Sequence, residues 1–364
     1  MLKIKKKSRL KTILFITSIF ILVSSCTKTS KKPDEKQNSK PVYASDVTPF
    51  FNDWKLILGD GSNVGFANNF EHKDFFYTVN DGENNWVVYK APNGGNTHGT
   101  SNNTRTELAQ VKKWYPATAD DQLTATLKVM NVSSTGDARV AASYAVVVGQ
   151  IHSADGHENE PLKIFYKKFP GHKKGSVFWH YEINTAGDDN SGRWDFSTAV
   201  WGNDFSVVGE TENTYPEEPK NGIALGEEFS YEIVVKNGVM ILKFTSKKHE
   251  TKLFSKNLIE SEYTTKADIP LQTQALFVPI GQDGVEKENG YANEGCFFKL
   301  GSYNQTNGKS PEVNKNWCSG AETHNGDIQK QYADGNYAEV WFKTASIVVS
   351  KNAVSNEGYF TKND

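Results

Sequence analysis

The sequence predicts an all-β protein, built as a sandwich or jelly roll. Three observations carry this. Strand-like stretches recur along the chain: NWVVYKA, LTATLKVMNV, SYAVVVGQIH, LKIFYKK, SVFWHYEIN, FSYEIVVKNGVMILKFTS, CFFKLGSYNQ and YAEVWFKTASIVVS. They alternate apolar and polar residues and are rich in Val, Ile, Tyr, Phe and Thr. No stretch sustains a helical period. Loops rich in Gly and Asn separate the strands. Many evenly spaced strands without helices close most readily into two packed sheets.

The elements follow in order. Residues 1–25 are a leader: MLKIKKKSRLK is basic and TILFITSIFILV is apolar but short for a membrane span. Val23-Ser24-Ser25-Cys26 fits a lipoprotein signal, cut before Cys26, whose thiol then carries lipid. An ordinary secretory signal is the alternative. Either reading exports the protein, and the first anchors it at the outer membrane or cell surface. Residues 26–46 are polar and charged and read as a flexible tether. The folded domain is expected over 47–364. Within it, EIVVKNGVMILKF is a hairpin with Asn237-Gly238 at its turn. Thr306 to Asn336 is a long polar insertion before the last strand, of a length that often rims a cleft.

The formal charge is −2, and the leader holds Lys3, Lys5, Lys6, Lys7, Arg9, Lys11 and no acid, so the exported chain stands at −8. An acidic chain is a poor nucleic-acid binder. An anionic ligand must be met by a local cluster of cations. Beyond Cys26 only Cys296 and Cys318 remain. In an oxidising compartment they are candidates for a disulfide, with two separate thiols as the alternative.

Three strands carry unusual polar pairs. Side chains alternate along a strand. Arg105 therefore shares a face with Glu107, and Gln150 with His152. Lys299, Tyr303 and Gln305 share one with Phe297 and Gly301. In a curved sheet these faces line one groove. No pair of carboxylates lies in a recognisable strand motif, as glycoside hydrolysis requires. There is no G-x-S-x-G elbow and no H-E-x-x-H metal motif. Cations, an amide, an imidazole and a phenol suit an anionic sugar, and β-elimination on a uronic acid in particular. That reaction removes the C5 proton beside the C6 carboxylate. Donors aimed at the carboxylate stabilise the charge that moves into it. A base takes the proton and an acid protonates the departing O4.

These residues resemble a known family, the alginate lyases of polysaccharide lyase family 7. Its signature strands R-(T/S)-E-L-R, Q-(I/V)-H and Y-F-K-A-G-x-Y-x-Q are matched in order by RTELA, QIH and FFKLGSYNQ. DWKLIL, APNGGNT and LKIFYKK extend the likeness over roughly residues 50–350. The resemblance implies a concanavalin-like β-jelly roll whose curved sheet forms a substrate groove. It implies a lyase that acts on alginate without metal or cofactor. Arg105 and Gln150 are the implied carboxylate neutralisers, His152 the base or its assistant, and Tyr303 the acid. Glu107, Lys299 and Gln305 are implied to hold the sugar or orient the catalytic groups. Ile151 is associated in the family with guluronate-containing blocks.

The departures are specific. Ala109 stands where the family has the last Arg of its first motif. Phe297 replaces a Tyr, and Leu300 replaces an Ala. Ala109 removes a cationic contact unless Gln110, Lys112 or a loop supplies another. The changes motivate two alternatives: a lyase for another polyuronate such as glucuronan, or a surface lipoprotein that binds uronate chains without cutting them. Retention of both His152 and Tyr303 weighs against pure binding.

Overall fold

The computed structural model describes residues 42–48, 51–99, 101–154, 160–183, 194–259, 291 and 294–362. The leader and Cys26 lie outside them. Of the segment read as a tether, residues 26–46, only the end from Val42 is described. Ala44–Val47 forms a helical turn, and Ala44 is buried in the main core. The folded unit therefore reaches back to Val42.

The strands in chain order are β1 (Trp54–Ile57), β2 (Asn63–Gly65), β3 (Phe76–Asn80), β4 (Asn85–Pro92), β5 (Arg105–Gln110) and β6 (Lys112–Lys113). Next come β7 (Asp120–Asn131), β8 (Ala145–Ser153), β9 (Leu162–Lys167), β10 (Lys174–Ile183), β11 (Trp194–Trp201) and β12 (Ile223–Ala224). The last are β13 (Phe229–Lys236), β14 (Val239–Ser246), β15 (Lys252–Asn257), β16 (Cys296–Asn304), β17 (Tyr337–Val348) and β18 (Val354–Ser355). One nine-stranded sheet runs β11-β10-β9-β8-β16-β5-β1-β2, with β12 added to β10. A seven-stranded sheet runs β15-β14-β13-β7-β17-β4-β3. All described pairings are antiparallel. The all-β jelly roll expected from sequence is the observed architecture, and β13 and β14 form the hairpin about Asn237-Gly238.

The main core lies between the sheets. Leu56, Leu108, Val146, Val148, Ile151 and Ile164 from one sheet share it with Val87, Leu127, Ile233, Leu242 and Phe342 from the other. Two irregularities matter for the opposite face of the nine-stranded sheet. Register shifts occur between Val147 and Gly149 in β8 and between Leu300 and Tyr303 in β16. A bulge resets the side-chain alternation. Val147 consequently packs with Phe165 and Phe178 outside the main core, on the same side as Gln150 and His152. Gly149 is required at the first bulge. A Cβ there would stand 2.6 Å from the Tyr231 hydroxyl, which donates to the Val148 carbonyl at 3.1 Å. Gly301 is required at the second, where φ is 149° and a Cβ would lie 2.4 Å from the Thr106 carbonyl.

Cys296 and Cys318 are not bonded to each other, contrary to the candidate disulfide; both are buried. Cys296 pairs with Ser153 at one end of β8, while the segment holding Cys318 is bonded to Ala142, just before the other end. At about 3.3 Å per residue, the strand between them keeps them roughly 25 Å apart. A disulfide needs Cα atoms within about 7 Å.

Candidate active site

Adjacent strands bring the sequence-predicted residues together. β16 lies between β8 and β5. Lys299 stands opposite both Gln150 and Ala109, Gly301 opposite Glu107, Tyr303 opposite Arg105, and Phe297 opposite His152.

Glu107 is the hub. Lys299 Nζ lies 2.8 Å from its Oε2 and Arg105 Nη1 lies 3.6 Å from the same oxygen. Gln150 Nε2 donates to its Oε1. Glu107, Lys299 and Gln150 are fully buried. A buried carboxylate is tolerated because cations face it, and the cations because it faces them. Within this trio, two cations against one carboxylate leave one positive charge in excess. Glu107 thus holds the side chains of Lys299 and Gln150 against it. Gln150 spends one of its two N–H donors on Glu107 and keeps the other.

Arg105 stacks its guanidinium 3.8 Å from the centroid of the Tyr303 ring. Burial lowers the Arg105 pKa, but Tyr303 and Glu107 beside it outweigh that and hold it above the usual guanidinium value. The Tyr303 hydroxyl meets Ser101 Oγ at 3.2 Å. Gln305 sits just past the end of β16. Its Nε2 donates to the Tyr303 carbonyl at 3.3 Å, so it braces the Tyr303 backbone.

His152 Nδ1 lies 2.6 Å from the Ser153 carbonyl oxygen. A carbonyl only accepts, so Nδ1 carries the proton and Nε2 keeps its lone pair. Glu160 Oε1 is 3.7 Å from Nε2. Burial, with Lys299 and Arg105 nearby, pushes the His152 pKa down to about 4 against the pull of Glu160. The ring is neutral at neutral pH, as a base must be. Ile151, between Gln150 and His152, points into the core.

Other residues of this face escaped the sequence reading. Lys163, opposite Gln150, bridges Glu160 at 2.9 Å and Glu182 at 3.1 Å. His180 lies 3.3 Å from Asp195. His180 and Glu182 sit one residue apart in SVFWHYEIN, the same signal that marked Gln150 and His152. Ser101 lies in the loop ahead of RTEL, where no periodicity points to it. Tyr359 packs edge-on against His152, ring centroids 5.5 Å apart, and nothing in its local sequence marks it. Among the described residues no group of three or more His, Cys, Asp or Glu is placed to hold a metal ion.

The family model described as alginate lyase matches residues 50–348. The chain belongs to the alginate lyase family. Among solved alginate lyases, the chain resembles the exolytic PL7 enzyme AlyA5 of Zobellia galactanivorans, with 61% identity and a TM-score of 0.79. That likeness covers 85% of this chain and 98% of the other. A curated alginate lyase of Klebsiella pneumoniae is 29% identical over 222 residues, 50% of this chain and 66% of that one, slightly under two thirds of its length. A solved alginate lyase of Klebsiella pneumoniae, at 20% identity and a TM-score of 0.53 over 83% and 96% of the two chains, shows the shared fold.

The departures from the family's motifs have a structural account. Ala109 and Phe297 form an apolar cluster with Phe360 from the helix Glu357–Lys362. Neither Gln110 nor Lys112 supplies the missing cation. Gln110 accepts from the Phe298 amide at 3.0 Å and is buried, and Lys112 is exposed on β6.

Proposed function

We propose that the protein cleaves the 1,4 bond of alginate by β-elimination and works from a chain end. Arg105, with the remaining N–H of Gln150, takes the C6 carboxylate of the reacting uronate. His152 Nε2 removes the C5 proton. The electron pair forms the C4–C5 double bond, the bond from C4 to the glycosidic oxygen breaks, and Tyr303 protonates that oxygen. The products are a 4,5-unsaturated uronate end and a new sugar hydroxyl. Each step uses a side chain of this protein. The observation that carries the reading is a neutral His152 with Nε2 available, on one face with a phenol that is stacked on a buried arginine. The chain-end mode is taken from the exolytic relative.

The test is ultraviolet absorbance of the conjugated double bond during incubation with alginate, with Tyr303→Phe beside the parent. A rise in the parent alone supports the reading. Bound alginate with no rise makes the protein a binder, and activity only on glucuronan moves it to another polyuronate. We extend the proposal to export and lipid anchoring at Cys26. Cys26→Ser should abolish incorporation of labelled fatty acid, and equal labelling of both forms would refute the anchor.

A further inference from the structure

The helix Glu357–Lys362 touches the catalytic face, although it follows the last strand of both main sheets. It is tied down at several points. β18, just before it, pairs with β6. The Asn356 amide donates to the Val111 carbonyl at 2.8 Å and its side chain to the Gln110 carbonyl at 3.2 Å. Lys55 bonds Glu357 at 2.7 Å and lies 4.5 Å from the centroid of the Phe360 ring. Phe360 is buried against Ala109 and Phe297. A large side chain at position 109 would displace it.

That seat fixes Tyr359. Its ring centroid stands 4.7 Å from Phe297 and 5.5 Å from His152, and Lys299 Nζ is 6.0 Å from it. Tyr359 is half-buried, so part of its ring faces the space beside the base. A uronate whose C5 proton reaches His152 meets this ring on the Ala109–Phe297 side of the face. One ion pair, the two hydrogen bonds of Asn356 and a buried phenylalanine hold the ring there, where a mobile tail would yield to a polymer.

We propose that the C-terminal helix is the end wall of the substrate groove and that Tyr359 sets how many uronate units fit beyond the reacting one. This rests on the uronate reading of the site and deepens it, by naming the residue that makes the groove end. Tyr359 is a specificity residue, and the expected effect of removing it is a longer occupied stretch of chain, with the catalytic groups unchanged.

The test separates binding from turnover. In a Tyr303→Phe background, which keeps the ring on Arg105, affinity for oligouronates of increasing length is measured by calorimetry. The parent background should stop gaining affinity at a short length. Tyr359→Ala, and Phe360→Ala where it folds, should go on gaining for at least one further unit. In the otherwise native enzyme, Tyr359→Ala should lengthen the unsaturated products and lower alginate viscosity faster per double bond formed. A length plateau and product size unmoved by Tyr359→Ala, with unfolding at the parent's temperature, would overturn the wall while leaving the uronate reading standing. No oligouronate binding by any form would overturn both.

Discussion

β13 and β16 are both central strands with alternating patterns, yet the alternation means different things in them. β13 buries Phe229, Tyr231, Ile233 and Val235 and turns Ser230, Glu232 and Val234 to a partly exposed face. Its Lys236 pairs with Asp120 at the surface, 59% and 69% exposed. β16 is buried along almost its whole length, and its Lys299 is as inaccessible as its Leu300. One sheet offers its outer face to water. The other covers its outer face with loops and a C-terminal helix, so its charges must satisfy one another. The lesson is that a lysine on the outer face of a sandwich reports function only when something roofs it.

The largest expected effect falls on chemistry alone. Tyr303→Phe should lower turnover by about 10²- to 10⁴-fold, the usual worth of a positioned general acid. Its unfolding midpoint should stay near the parent's, since the ring still stacks on Arg105. A midpoint that collapses with the activity would make Tyr303 structural.

Next comes the hub. Glu107→Ala leaves Lys299 and Arg105 buried without their carboxylate and should cost about 3–5 kcal/mol in urea unfolding. The matching change in the other sheet, Lys236→Ala, should leave the midpoint where it was, because an exposed pair is screened by water. Equal losses would erase the contrast between the sheets.

The pH profile sharpens it further. A histidine held near 4 stays a base far below the ordinary imidazole value of about 6.5. The acid limb of kcat/KM should therefore fall near pH 4. The sign for stability agrees. The unfolded chain binds a proton at His152 more readily than the fold does between those values, so this contribution is complete above about 6.5 and is lost as pH falls towards 4. Glu160→Gln removes a nearby acid that raises the His152 pKa, and should move the limb to still lower pH by a small amount. A limb near 6.5 in the parent would show that His152 is not the titrating base.

Much of the site was legible because strand geometry is local. Gln150 and His152 had to share a face, as did Arg105 and Glu107, whatever the rest of the chain did. What could not be read was which strands become neighbours. The bond from Gln150 to Glu107 joins residues far apart in sequence. Lys163, His180 and Glu182 carried the same alternating signal as the motif residues but no motif to flag them. Tyr359 and Phe360 carried no signal of any kind. Ala109 and Phe297 looked like losses until Phe360 was found on top of them.

By itself the sequence determined the principal strands, the NG hairpin, the fold class and the faces on which the candidate catalytic groups stand, because each follows from a period of two and from turn chemistry. The tertiary structure decided the rest. It made Glu107 the buried hub, kept Cys296 and Cys318 at opposite ends of β8, and brought Tyr359 against His152. Those outcomes depend on which surfaces are removed from water together, and only the packed fold sets that.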